Sequence, residues 1–288
     1  MSDYTVIQPN KALRSQAREQ LSGVWIQMTL AAAILNFSSW PSLIYDLGAK
    51  LKLWKDLSWL KGRTLLEDQQ WFSAFMSTFK SELPWPWDTV DGLFSVINFI
   101  ICGAFFLGFA GYCLKRIRGQ EISIKNIFDG FKRFFPSFLL MLFSGLFILL
   151  WCLLLIIPGI IKGLGYSMAF FIMYDNPEIK PLEAIKRSSA MTKGYKWKLF
   201  KLLLGIIGQA ILGSLLILVV GTIFVTSRIP FTSVFMVVFT GFLWLFIAYA
   251  WLSTANFYEN LKKSQEETRT SQLETAVENS LLPESGEL

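Results

Sequence analysis

Uncharged apolar blocks alternate with short charged segments along the chain. Four blocks carry no charge over 23 to 30 residues, and a fifth, shorter block is diluted by polar residues. A helix needs about 20 apolar residues to cross a bilayer, and in lipid every backbone polar group must be paired within the chain. The pattern therefore predicts an all-α integral membrane protein. The blocks are residues 92–114, 134–161, 202–227, 229–258 and the weaker 21–40.

Lysine and arginine gather in two of the intervening segments. Residues 115–136 and 176–198 carry six basic residues each, and residues 1–20 carry three. The loop 46–91 balances six basic residues against seven acidic ones. Because short cytoplasmic loops hold the excess of lysine and arginine, we expect both basic segments and both termini in the cytoplasm and the loop outside. An even number of passages must then separate the two basic segments.

The dipeptide Pro158-Gly159 interrupts the second long block. Proline breaks the helical hydrogen-bond ladder and glycine loosens the backbone, so we interpret the pair as the hinge or turn of a helical hairpin. Lys162 would then lie near the outer tip, and the returning helix would end at Asp175. This interpretation gives six membrane passages. The alternative is a kinked interfacial helix over 159–174 that does not cross.

These boundaries divide the chain into a cytoplasmic segment 1–20, a membrane domain 21–258 whose first block is an uncleaved span, and a polar tail 259–288. The tail holds seven acidic and three basic residues, and it is either a weak helix or disordered. Two in-plane amphipathic helices are expected on the cytoplasmic side. Ser123 caps one, and the other begins at Pro181 and ends before a glycine.

A short pattern occurs twice in the sequence. A polar run is followed by a glycine and then by a tryptophan at the start of an apolar block, as Gly23 and Trp25 and again as Gly194 and Trp197. If the repeat is genuine, both blocks enter the membrane from the same face, as the distribution of basic residues requires. The alternative is chance similarity.

The residue types present argue against catalysis. The chain has no histidine, which removes the commonest general base and metal ligand. Residues 165–169 resemble a nucleophile elbow, but no histidine can activate Ser167 and no strand precedes it. There is no glycine-rich phosphate loop, and the apolar blocks lack the carboxylates that ion-coupled transporters place in the membrane. We expect no enzyme activity, no cofactor and no metal.

The basic residues flank the apolar blocks, where each is worth roughly 1 kcal/mol against anionic lipid. The net charge of +6 therefore indicates the anionic headgroups of membrane lipids as partners, with a membrane protein as a further candidate, and not nucleic acid. The alternative is that these cations only orient the chain. The candidate lipid or partner surface consists of Lys186, Arg187, Lys193, Lys196, Trp197 and Lys198.

Residues 157–200 resemble the signature of domain of unknown function 975, an uncharacterised family of bacterial multi-pass membrane proteins. Phe170 departs from the proline that the family often carries there. A more distant likeness is to the membrane domain of some glycerophosphoryl diester phosphodiesterases, whose catalytic barrel this chain lacks. The resemblance implies a bacterial plasma membrane, a conventional multi-pass fold and no established reaction. The motif residues are Tyr166, Ser167, Asp175, Asn176 and Pro177, with Pro158 and Gly159 upstream.

Two functions are compatible with these features. The leading hypothesis is a non-catalytic protein that binds lipid or a membrane partner in envelope maintenance or antimicrobial-peptide immunity. The alternative is a transporter or permease for a small apolar or lipid-like solute. A polar cavity at mid-membrane depth would favour transport, whereas continuous side-chain packing there would favour the first hypothesis.

Overall fold

The computed structural model describes residues 8–35, 87–225 and 232–281. Within these ranges the chain forms nine α-helices, one 3₁₀ helix and no strand. The predicted outer loop lies outside the described residues, except that its last five residues begin α3. The α-helices are α1 (Asn10–Leu21), α2 (Trp25–Leu35), α3 (Trp87–Ile117), α4 (Phe134–Leu154), α5 (Ile156–Tyr166), α6 (Ala169–Asp175), α7 (Pro181–Met191), α8 (Lys196–Val225) and α9 (Thr232–Leu281), and the 3₁₀ helix is Ile124–Arg133.

Four helical stretches within the described ranges are long and apolar enough to cross a membrane. Apolar side chains on them are exposed where a soluble protein would bury them, for example Leu153 at 76% and Leu212 at 69%. The fold is therefore an all-α membrane fold, as the apolar blocks predict. The four stretches are Val96–Ile117, Ile124–Leu154, Ile156–Asp175 and Lys196–Ile217, and Trp25–Ile34 is a shorter apolar helix.

The glycine and tryptophan pattern that occurs twice in the sequence has the same local structure at both places. Gly23, after α1, has a φ of 79°, and Gly194, after α7, has a φ of 86°. This left-handed conformation ends a helix and is favourable only for glycine. The tryptophan that follows is exposed in both cases, Trp25 at 56% and Trp197 at 65%. Each unit thus presents an exposed aromatic ring where an apolar helix begins.

The 3₁₀ helix runs back along α3 in close contact. A Cβ atom on Gly108 would overlap the carbonyl group of Ile127, and one on Gly130 would overlap the carbonyl group of Ala104. Glycine at both positions therefore lets the two backbones approach each other. Sequence analysis predicts an in-plane amphipathic helix here. The structure packs this segment on α3, with Ile127 fully buried and the rings of Phe105 and Phe131 5.0 Å apart.

α4 and α5 form an antiparallel helical hairpin. Residues later in α5 contact residues earlier in α4, as an antiparallel pair requires: Gly159 lies beside Cys152, and Gly163 lies beside Ile148. The helical break falls at Leu155, whose φ of −161° and ψ of 139° are extended, and not at Pro158-Gly159 as the sequence interpretation places it.

The roles of the dipeptide differ accordingly. Pro158 lies in the first turn of α5, where its missing N–H leaves no helical hydrogen bond unmade. Gly159 lets the two helices touch, since a Cβ atom there would overlap the sulfur of Cys152. Lys162 is also displaced from the expected tip, because the tip consists of the exposed apolar residues 153–157. The ammonium group of Lys162 instead lies 4.6 Å from the ring centroid of Trp151 on α4.

The buried core is one continuous cluster that reaches from Leu13 on α1 to Leu261 on α9. A group of aromatic rings packs against this cluster. The ring of Trp251 on α9 lies 5.5 Å from the ring of Phe109, 5.7 Å from that of Phe106 and 5.8 Å from that of Phe171. α9 thereby packs against α3 and α6 at once.

The polar tail is helical as far as it is described. α9 continues to Leu281 without a break, and its described side chains from Arg269 onward are exposed. Sequence analysis leaves the tail as either a weak helix or a disordered segment, and its described part is a helix. Glutamate, glutamine, alanine and leucine, all good helix formers, supply much of this stretch.

Candidate functional site

The predicted lipid or partner surface begins on α7 and continues into the first turn of α8. Lys186, Arg187 and Lys193 are exposed. Arg187 is hydrogen-bonded at 2.6 Å to Glu183, one turn earlier on the same helix. Lys186 and Lys193 are therefore the exposed cations that this part of the surface presents to an external anion.

Trp197 is the aromatic centre of this surface. Its ring stacks on the ring of Phe200 at 5.3 Å, and the ammonium group of Lys201 lies 5.3 Å from its centroid. The next residues of the same helix present an exposed apolar face, beginning with Leu204 at 54% and Ile207 at 53%. Cations, an indole ring and an apolar face thus follow one another within three helical turns.

Lys196 and Lys198 differ from the other members of the predicted surface, because both are partly buried. Lys196 faces α5: its ammonium group lies 3.4 Å from the position of a Cβ atom on Gly165. The backbone carbonyl of Lys198 accepts a hydrogen bond of 2.9 Å from the side chain of Asn10. The six predicted residues therefore do not form one patch, and Lys196 belongs to the contact between α5 and α8.

The motif residues Tyr166 and Ser167 mark the break between α5 and α6. The hydroxyl of Ser188 on α7 donates to the carbonyl of Gly165 at 2.7 Å and accepts from the backbone N–H of Met168 at 3.1 Å. The Ser188 hydroxyl thereby supplies hydrogen-bond partners to two backbone groups that the helix break would leave without one. The hydroxyl of Ser167 donates to the carbonyl of Leu164 at 2.8 Å.

The motif residues Asp175, Asn176 and Pro177 end α6. The Asn176 side chain donates to the carbonyl of Ile172 at 2.9 Å. The guanidinium group of Arg133 donates to the carbonyl of Met173 at 2.7 Å. Both bonds satisfy carbonyl groups that a helix end leaves without partners. Arg133 comes from the first basic segment, so it contributes to structure as well as to net charge.

The carboxylate of Asp175 joins three parts of the chain. It accepts hydrogen bonds from Arg118 at 2.8 Å, from Lys262 at 2.9 Å and from the hydroxyl of Tyr258 at 3.0 Å. Arg118 also bonds to Glu259. Only 7% of the Asp175 side chain is exposed, so the ion pairs are largely shielded from water. The hydrogen bond that Arg118 donates to Asp175 raises the pKa of Arg118 above its usual range.

This cluster can hold helices together, and its charges are paired. Sequence analysis leaves Asp175 either as a helix-end residue or as a partner for a cytoplasmic basic group, and the structure pairs it with two such groups. Tyr258, Glu259, Lys262 and Ser188 are absent from the sequence prediction. The sequence signals this cluster only through Asp175, a carboxylate at the end of an apolar run. Its partners Arg118 and Lys262 are 57 and 87 residues away in the sequence, so no local pattern connects them to it.

Metal-ligating residues are not gathered at any point in the described ranges, where no group of three or more histidine, cysteine, aspartate or glutamate side chains could hold an ion. The three cysteines are free thiols, with Cys102 and Cys113 buried and Cys152 partly buried.

Residues 152–265 match a family described as "protein of unknown function (DUF975)". The matched part contains the break at Ser167, the Asp175 cluster on its α6 and α9 sides, and the surface around Trp197. This match supports the family expected from the sequence. No curated protein and no solved structure matches the chain. The more distant likeness to the membrane domain of glycerophosphoryl diester phosphodiesterases stays a prediction.

Proposed function

We propose that this chain is a non-catalytic protein of a bacterial plasma membrane that binds anionic lipid headgroups from the cytoplasmic side, in envelope maintenance or immunity. It crosses the membrane six times and keeps both termini in the cytoplasm. The observation that carries this proposal is the start of α8, where the exposed Trp197 and the exposed Lys201 precede the exposed apolar face of the same helix.

The order of side chains on α8 matches the order of layers in a bilayer. Tryptophan favours the headgroup level, and lysine can extend its charged end toward the headgroups while its aliphatic stem covers apolar surface. Trp197, 65% exposed, and Lys201 beside it supply these two features. The exposed apolar residues from Leu204 onward then suit the acyl chains. We infer that the first turn of α8 lies at the headgroup layer.

Lys193 precedes this turn by three residues, and Lys186 is exposed on α7. Together they supply most of the proposed attraction to anionic lipid. Each cation near the surface contributes roughly 1 kcal/mol. Arg187 contributes less, because its guanidinium group is already held by Glu183 at 2.6 Å.

Contact between the two basic segments supports the proposed topology. Arg118 belongs to the segment 115–136, and Asp175 immediately precedes the segment 176–198. Their side chains are hydrogen-bonded at 2.8 Å, so the two segments lie on the same side of any membrane. The hairpin of α4 and α5 returns the chain to the side from which it came. Because lysine-rich and arginine-rich short segments stay in the cytoplasm, we assign both to that side.

Dense packing in the core favours binding over transport of a solute. The partly buried ring of Trp251 lies 5.5 to 5.8 Å, between centroids, from three rings of α3 and α6, and the buried cluster is continuous. Side chains that interdigitate in this way leave little room for a polar pathway among these helices.

The test replaces Lys186, Arg187 and Lys193 together with glutamine and measures the anionic lipid that copurifies with the protein from native membranes. Because Glu183 already holds Arg187, most of the effect comes from the loss of Lys186 and Lys193. Their loss removes roughly 2 kcal/mol of attraction to anionic lipid, which weakens lipid binding about thirty-fold. Trp197→Ala, in a separate variant, should also lower lipid recovery because it removes the interfacial ring.

A matched control removes the same charge elsewhere. Lys125, Lys263 and Arg269 are exposed and belong to the 3₁₀ helix and α9, outside the proposed surface on α7 and α8, so their replacement by glutamine should leave lipid recovery unchanged. Both triple variants should insert normally, since the remaining basic residues still orient the chain. Equal recovery of anionic lipid by the two inserted variants would show that the surface only orients the protein.

A further inference from the structure

Two partly buried lysines lie where α5 meets α8. Lys162 is on α5, and Lys196 is the first residue of α8. Lys162 lies one helical turn before Gly165, and the ammonium group of Lys196 lies 3.4 Å from the position of a Cβ atom on Gly165. Both lysines are partly buried, so water screens their mutual repulsion less than it would at an open surface. Like charges at such a place are unfavourable unless an anion lies between or beside them.

Other polar groups lie beside the same glycine. Gly165 is buried on the last turn of α5, and its lack of a side chain lets these groups come close to the helix. A Cβ atom there would lie 3.4 Å from the ammonium group of Lys196 and 3.6 Å from the hydroxyl of Ser189. Ser189 belongs to α7, so three helices meet beside this glycine. The amino end of α8 adds the positive end of a helix dipole.

A counter-ion is missing from this arrangement among the described residues. Neither lysine is in an ion pair with a carboxylate of the described chain. Lys162 has instead the ring of Trp151, whose centroid is 4.6 Å from its ammonium group. A cation–π contact stabilises a cation without neutralising it, so the pair keeps two positive charges.

We propose that Lys162, Lys196 and Ser189 form a discrete binding site for the phosphate group of an anionic membrane lipid. A phosphate supplies the negative charge that the two lysines lack and accepts a hydrogen bond from the serine hydroxyl. This inference rests on the proposed lipid-binding role, and it adds a specific, partly buried site to the exposed surface around Trp197.

The apolar surroundings identify the source of the phosphate as a lipid. On the side of α5 next to Lys162, Ile160 is 48% exposed and Ile161 is 45% exposed. Trp151, stacked on Lys162, is itself 36% exposed. These side chains suit the acyl chains of a lipid whose phosphate sits between the lysines, whereas a free phosphate ion would gain nothing from them.

The first experiment counts retained lipid. Purified protein in detergent is mixed with phosphatidylglycerol, and native mass spectrometry measures how much remains bound. The wild type should keep one lipid, and Lys162→Met and Lys196→Met should each lower its retention about ten-fold, the effect of roughly one charge-assisted contact. Lys162→Arg and Lys196→Arg keep the charge and should keep the lipid. The control Lys263→Met removes an exposed cation of α9 outside the proposed surface and should retain the lipid as the wild type does.

The second experiment separates binding from a purely structural role. Removal of one repelling charge should raise the melting temperature of lipid-free Lys162→Met and Lys196→Met protein, while phosphatidylglycerol should no longer raise it further, as it does for the wild type. Inorganic phosphate at the same concentration should not reproduce the lipid effect. A methionine variant that is stabilised by phosphatidylglycerol as much as the wild type overturns the site.

The outcomes also distinguish this site from the proposed function. A wild type that retains no phosphatidylglycerol in either experiment overturns both. A wild type that retains lipid, lost in the glutamine variant of Lys186, Arg187 and Lys193 but kept in Lys162→Met and Lys196→Met, overturns only the discrete site. Stabilisation by inorganic phosphate equal to that by the lipid shows that the ligand is the free ion and overturns the lipid assignment.

Discussion

The guanidinium group of Arg118 donates a hydrogen bond of 2.8 Å to the carboxylate of Asp175, although the two residues are 57 positions apart. Arg118 directly follows α3, and Asp175 is the last residue of α6. The bond therefore ties the ends of two helices together, and Lys262 extends the tie to α9 at 2.9 Å. This cluster fixes the cytoplasmic ends of three helices in the proposed topology.

Asp175→Asn should destabilise the protein markedly. The change removes the negative charge that balances Arg118 and Lys262, and breaking a buried ion pair from one side leaves cations uncompensated. Because the side chains of Arg118 and Lys262 are 32% and 38% exposed, water can partly replace the carboxylate, and we expect a loss of about 2 kcal/mol in the free energy of unfolding. Thermal unfolding in detergent measures it.

The control for this prediction is an exposed ion pair. Glu183 and Arg187 are 48% and 54% exposed, and pairs of this kind contribute at most about 0.5 kcal/mol. Glu183→Gln should therefore leave the melting temperature almost unchanged. Equal melting temperatures for Asp175→Asn and Glu183→Gln would contradict a structural role for the Asp175 cluster.

Gly108→Ala should be more damaging than an alanine substitution usually is. Alanine is a better helix former than glycine by about 1 kcal/mol, but a Cβ atom on Gly108 would overlap the backbone carbonyl of Ile127. Backbone atoms cannot rotate away, so α3 and the 3₁₀ helix must separate, at a cost of about 3 kcal/mol. Thermal unfolding of the purified variant tests the expected loss.

Gly145→Ala provides the matched comparison in a neighbouring helix. A Cβ atom on Gly145 in α4 would meet nothing within 4 Å. The substitution should therefore leave stability unchanged or raise it by up to about 1 kcal/mol. Equal melting temperatures for Gly108→Ala and Gly145→Ala would contradict the inference that the backbones of α3 and the 3₁₀ helix touch at Gly108.

Helix identity could be predicted from the sequence because it depends on local pattern. The uncharged blocks predict the apolar helices, Pro181 is the first residue of α7, and Gly194 has the positive φ expected after a helix end. The hairpin break at Leu155 could not be located in this way. Leu155 is one of several consecutive apolar residues and carries no turn signal of its own, while the visible signal, Pro158, lies in the first turn of the next helix.

The candidate sites depend on contacts that no local pattern encodes. Lys162 and Lys196 come together only because α5 folds back on α4 and places its last turn beside α8. Ser188 is 23 residues from the Gly165 carbonyl that it pairs. A sequence pattern identifies which residues share a helix face, but it does not tell which helices meet. The exposed surface around Trp197 was predictable because its members lie close together in the sequence.

Ser188→Ala should destabilise the junction of α5, α6 and α7. The hydroxyl is fully buried and pairs with the Gly165 carbonyl and the Met168 N–H. Alanine leaves the Met168 N–H buried without its partner and leaves the Gly165 carbonyl with only the longer bond of 3.5 Å from the Thr192 hydroxyl, at a cost of about 1 to 3 kcal/mol. Hydrogen–deuterium exchange should show faster exchange at the Met168 amide, and thermal unfolding should report the overall loss.

Ser271→Ala is the appropriate control for a lost serine hydroxyl. Ser271 is exposed on α9, and its hydroxyl bonds only locally, to the carbonyl of Thr268 at 2.9 Å. Its replacement should change stability by less than about 0.5 kcal/mol. Unaltered exchange at Met168 in Ser188→Ala would mean that the break between α5 and α6 does not depend on this hydroxyl.

Labelling of single cysteines tests the proposed topology. Cys102, Cys113 and Cys152 are first replaced by alanine, and Lys186→Cys or Ser81→Cys is then introduced. Lys186 is exposed on α7 and belongs to a basic segment, so it should react with a membrane-impermeant maleimide only after the cells are opened. Ser81, in the charge-balanced loop 46–91, should react in intact cells. The hydrogen bond between Arg118 and Asp175 holds both basic segments on the same side of the membrane. Labelling of position 186 in intact cells would therefore rule out six passages with cytoplasmic termini.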